Sequence, residues 1–143
     1  MTYRELKQKH QNEVDAFPMG FAFSKEQFAK MMAKWDLGEN DTDKIYRFGN
    51  TGGFYKRTDA KALHEMFDRH ERERNEAMDA DMTGDEYIYQ MFRYELANHE
   101  YCITYDYEPT LDALGLTYDE VRNDERLWKS LQKAKKDYLD KCD

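Results

Sequence analysis

The chain has 143 residues, of which 36% are charged, 40% hydrophobic and 15% aromatic, with a net charge of −8. This length supports a single globular domain over 1–143 with a core of its own, and the aromatic content argues against disorder. The negative charge disfavours direct binding to nucleic acid or anionic lipid and favours a basic protein partner; with no signal peptide and no membrane-length apolar run visible, a cytoplasmic protein is expected.

Thr2 caps a first helix predicted over about Tyr3 to Asp15, which the Phe17-Pro18-Met19-Gly20 stretch ends. Ser24-Lys25-Glu26-Gln27 is a capping box opening a second helix, in which Phe28, Met31, Met32 and Trp35 follow helical spacing. Lys44 to Phe48 and Phe54 to Arg57 read as two strands joined by the Gly49–Gly53 turn, a hairpin that must lie against helices to be stable. A third helix runs from about Ala60 to Met78, with Leu63, Met66, Phe67 and His70 as its apolar stripe. The segment from Gly84 to Tyr101 is apolar or aromatic on nearly every side, the pattern of a central, buried helix, capped by Thr83 or Asp85. Gly115 closes a short helix through Leu111 and Leu114, Thr117-Tyr118-Asp119-Glu120 is a further capping box, and Asp124 begins the last helix. The predicted class is α+β and predominantly helical: five to six helices around a central buried helix, plus one β-hairpin.

Within the central helix Glu95 and His99 stand one turn apart, so their side chains can meet, and His70 faces them from the stripe of the preceding helix. Imidazole and carboxylate together suit metal ligation or acid–base chemistry, which makes His70, Glu95 and His99 the candidate site. The alternative is a buried network in which Glu95 pairs with Arg69, Arg74 or His99 and fixes the helix register. The spacing matches neither a zinc-protease helix nor the Glu-x-x-His repeats of di-iron bundles. His64 and Asp68 form a second pair, on the solvent side.

The glycine-rich turn, flanked by Arg47, Lys56 and Arg57, reads as a nest for anions or as a plain hairpin turn with basic flanks. If functional, this surface is a contact patch of Tyr46, Phe54 and Tyr55. Asp79, Asp81, Asp85 and Glu86 concentrate charge around one loop, and Asp106, Glu108, Asp112, Asp119 and Glu120 form a second acidic stretch. These acids either imitate a phosphate track or occupy solvated loops and helix starts. Cys102 and Cys142 form no CxxC pair, so reduced thiols are expected. No nucleophile elbow, phosphate loop or dinucleotide fingerprint is present, and no cofactor is implied.

The block from Asp43 through Phe54 and the runs His64–His70, Tyr94–Tyr101 and Leu111–Thr117 resemble an uncharacterised family of small acidic proteins carried by phages and integrative elements of gut Gram-positive bacteria. That resemblance implies a setting in which small acidic proteins act on host machinery. The expected function is therefore a non-enzymatic protein-binding protein of a phage or mobile element. It would inhibit a host defence or nucleic-acid-handling protein, as anti-CRISPR proteins do, through Asp79, Asp81, Asp85, Glu86, Tyr46, Phe54 and Tyr55. The alternatives are a small metal-dependent or acid–base enzyme built on His70, Glu95 and His99, and a structural protein that assembles with itself through exposed Tyr and Met.

Overall fold

The computed structural model describes residues 1–142. Its elements run α1 (Tyr3–Ala16), β1 (Gly20–Phe21), α2 (Lys25–Lys34), β2 (Ile45–Phe48), β3 (Gly53–Lys56), α3 (Ala60–Ala80), α4 (Tyr87–Asn98), α5 (Tyr101–Thr104), α6 (Glu108–Leu114), α7 (Tyr118–Arg122) and α8 (Glu125–Leu139). The class is α+β and mostly helical. Among the described residues there are eight α-helices, not five or six, because one-turn pieces such as α5 stand as separate elements. None of these helices is long and apolar enough to cross a membrane.

Local chemistry sets most boundaries. Thr2 and Glu5 form a reciprocal capping box at α1: Thr2 Oγ1 accepts from the Glu5 amide at 3.1 Å, and Glu5 Oε1 accepts from the Thr2 amide at 2.8 Å. Ser24 accepts from the Gln27 amide, and Gln27 Oε1 reaches back to the Phe23 amide. Thr117 serves α7 in the same way, and Asp124 accepts from the Arg126 and Leu127 amides at the start of α8.

The described residues divide into two compact units, 1–11 with 72–142, and 12–71. In the first, α4 is the central element: Ile88, Met91, Phe92 and Leu96 are all but fully buried among Tyr3, Leu6, Leu111, Val121, Leu127, Leu131 and Ala134. Each such side chain contributes about 1.5–3 kcal/mol of apolar burial. The central helix is shorter at both ends than its pattern predicts. Gly84 has φ +83°, which no helix accommodates, and Glu100 has φ +52°, which separates α4 from α5.

In the second unit the strands form an antiparallel sheet in the order β1-β3-β2. Alternation along β3 sends Phe54 toward Met31, Met32 and Ile45, and Tyr55 toward Leu63 and Met66, so helices cover both faces. The expected hairpin is present, and β1 extends it, pairing Gly20 with Phe54 and Phe21 with Gly53. Gly20 permits this approach, since a side chain there would collide with Met31 of α2.

Candidate functional site

Glu95 is completely buried in the first unit. Its Oε1 accepts from Tyr3 Oη at 3.0 Å and from Lys7 Nζ at 2.5 Å, both supplied by α1 one turn apart. Lys7 also lies over the Tyr94 ring, 4.9 Å from its centre. Burial, followed by the Glu95 charge, pushes the Tyr3 hydroxyl well above the usual phenol range, which keeps it a donor. The second oxygen, Oε2, makes no hydrogen bond and stands 3.5 Å from Nε2 of His99, itself 31% exposed.

The expected meeting of Glu95 with His99 is therefore present, but His70 belongs to a different network. His70 is buried in the second unit with Nε2 2.9 Å from Glu13 Oε2, and Arg69 pairs with the same carboxylate. Hydrogen bonds from Arg69, and then from His70, lower the Glu13 carboxyl to about 2. Within the first unit the site is the pair Glu95 and His99, and within the second His70 pairs with Glu13. Glu95 is neutralised by Lys7, a residue the sequence reading passed over. Only the i,i+4 placement of Tyr3 and Lys7 on α1 signalled their joint role.

Two open grooves lie nearby. One, of about 650 Å³, is lined by Arg4, Tyr89, Arg93 and Tyr94 among others; the second, of about 470 Å³, shares Arg4 and Tyr94 and includes Lys7. Neither Glu95 nor His99 lines either of them. Among the described residues no group of three or more His, Cys, Asp or Glu side chains is placed to hold a metal ion.

The acidic loop between α3 and α4 has a definite architecture. Asp81, expected on the surface, is buried at 4% exposure and organises the loop from within. Its Oδ1 accepts from the Gly84 amide at 2.9 Å, and its Oδ2 from the Glu86 and Ile88 amides, each at 3.0 Å. Burial alone would raise this carboxyl, but the three amides, with Thr83, outweigh it and hold it below its ordinary range. From α8, Arg126 donates to the carbonyls of Met78 and Asp81, and Ser130 to that of Gly84. The loop so fixed leaves Asp79, Asp85 and Glu86 exposed and holds Met82 out at 82% exposure. Asp85 has a cation 3.7 Å away in Lys133.

At the hairpin, Tyr46 is exposed, Phe54 half-buried and Tyr55 buried at 8%, so Tyr55 is corrected from contact residue to core. Arg47 lies over Phe54 and Arg57 over Tyr46, at 6.0 and 4.7 Å from the ring centres; both guanidinium groups stack on aromatic rings. Phe21 and Phe23, which the sequence reading did not single out, are exposed beside the turn as well. Their signal was the Gly52-Gly53 pair, whose missing side chains leave room for both rings. His64 and Asp68 are exposed, as expected.

The chain belongs to a family of unknown function (DUF7659), whose family model matches residues 2–137. No curated protein and no solved structure matches it.

Proposed function

We propose that this member of a family without an assigned activity is a non-enzymatic protein-binding protein, which docks on a basic groove of its partner through the loop between α3 and α4. The observation that carries the reading is the combination at that loop of exposed acids, an exposed methionine and a backbone pinned from inside. A loop already held in one conformation loses little entropy on docking. Met82 offers an adaptable apolar contact, and Asp79, Asp85 and Glu86 give charge complementarity to Lys and Arg. The net charge of −8 extends the same complementarity to long range. A groove built for nucleic acid is strongly basic because it must neutralise phosphates, so the proposed partner is a nucleic-acid-handling or defence protein and the proposed effect is occlusion. The likeness to proteins of phages and integrative elements supports a host protein as that partner, in the manner of an anti-CRISPR protein. Glu95 and His99 then serve to hold α1 against α4.

The test is capture from a Gram-positive host lysate on the immobilised full-length protein, with mass-spectrometric identification. A nucleic-acid-binding protein is expected in the eluate. It should fall by about tenfold or more with Met82→Ala combined with Asp79→Lys and Glu86→Lys. Retained capture by that folded variant, or a captured protein without a basic groove, overturns the proposal.

A further inference from the structure

Cys102 lies in α5 and Cys142 one turn beyond α8, yet both pack against the same apolar cluster. Tyr138, in the last turn of α8, joins them. Its hydroxyl donates to Cys102 Sγ at 3.0 Å and accepts from the Cys102 amide at 3.4 Å. Past Tyr138 the backbone keeps turning, with the Lys141 amide on the Tyr138 carbonyl and the Cys142 amide on the Leu139 carbonyl, each at 3.1 Å. Cys142 therefore follows Tyr138 by four residues on the same side of the turn. Its thiol lies close enough to the Tyr138 hydroxyl and the Cys102 thiol to interact with both. Both cysteines are half-buried, so a solvent-borne reagent can reach them.

We propose that Cys102 and Cys142 are a redox-closable dithiol, which a small disulfide of the glutathione class converts into an intramolecular disulfide joining α5 to the segment after α8. The roles of the two sulfurs differ. The Tyr138 hydrogen bond, and then that from Cys142, lower the Cys102 thiol, whereas burial, and then Cys102, raise Cys142. Cys102 is thus the attacking thiolate and Cys142 the resolving thiol. The Cys102 thiolate attacks one sulfur of the oxidised reagent, whose S–S bond breaks, and one reagent thiolate leaves and takes up a proton. Cys142 then gives up its proton and attacks the Cys102 sulfur of the mixed disulfide, expelling the second reagent thiolate. Two thiols have lost two electrons and one disulfide reagent has gained them. The new bond closes the chain from residue 102 to residue 142 and restricts the unfolded state.

The experiment incubates the reduced full-length protein with oxidised glutathione, quenches with acid, alkylates with a maleimide and reads intact mass. The expected product is a monomer lighter by two hydrogens that takes up no maleimide, with a linked Cys102–Cys142 peptide in the digest and a thermal midpoint raised by about 5–10 °C. Cys142→Ser should accumulate a stable mixed disulfide at Cys102, formed faster than the one at Cys142 in Cys102→Ser. Two free thiols after oxidation, a disulfide-linked dimer, or mixed disulfides on both cysteines without ring closure would each overturn the proposal.

Discussion

A carboxylate taken out of water costs several kcal/mol unless donors and a counter-charge face it, and Glu95 has both in Tyr3 and Lys7. Glu95→Ala strands the Tyr3 hydroxyl in the core without its acceptor, while Lys7, being 44% exposed, returns to water. A loss of about 3 kcal/mol in urea-unfolding free energy is expected. His99→Ala removes a partly exposed ring that makes no hydrogen bond to the carboxylate, and should cost less than about 1 kcal/mol. Equal costs would mean that His99, and not Lys7, satisfies Glu95. Glu13 gives a prediction in pH. Arg69 and His70 hold its folded value at about 2, below the ordinary 4.5, so the stabilisation is fully present above about pH 4.5 and is lost as pH falls toward 2. Thermal midpoints taken through that window should fall more steeply for the native chain than for Glu13→Gln. Parallel curves would remove Glu13 from the account of acid stability.

At the scale of elements, Asp81 does for α4 what Thr2, Ser24, Thr117 and Asp124 do for theirs, but from outside the helix. It lies seven residues before the Ile88 amide it accepts from, beyond the reach of a capping box. Asp81→Ala leaves three amides without their acceptor and is expected to cost about 2 kcal/mol; exchange of the Gly84, Glu86 and Ile88 amide hydrogens should accelerate while that of the Phe92 amide does not. Uniform acceleration across α4 would instead mean that Asp81 supports the whole helix. Gly84→Ala strikes the same loop twice, through φ +83° and through a methyl 3.0 Å from Arg126 Cγ and its carbonyl oxygen. The elements legible in the sequence are those with short-range signals: the capping boxes, the glycine turn, Gly115 and the apolar run of α4. The two-residue β1 has no periodicity to read, since it exists only because β3 offers an edge. The same limit hid the partners of the candidate site: His70 meets Glu13 across 57 positions, and Glu95 meets Lys7 across 88. Residue type announced that Glu95 needed a partner; only the packing of α1 on α4 decides which.

For the whole molecule the governing quantity is charge. A chain at −8 carries its acids both on the loop between α3 and α4 and elsewhere, so under the proposed function its field would guide approach and the loop would set the pose. These contributions separate in kinetics. Long-range steering acts on the association rate and is screened by salt within about 8–10 Å, whereas the proposed desolvated contact of Met82 would act on the dissociation rate. Raising salt from about 0.05 M to 0.5 M should therefore slow association with the captured partner severalfold and leave dissociation nearly unchanged. Met82→Ala should do the reverse. The same field repels a phosphate backbone, so labelled duplex DNA should show no anisotropy change with the protein alone. When the partner is present, the protein should displace that DNA in proportion to its own occupancy, because the proposed function puts both in one basic groove. A ternary complex of partner, DNA and protein, seen as anisotropy that stays high at saturating protein, would place the docking surface away from the groove and rule out occlusion as the mode of action.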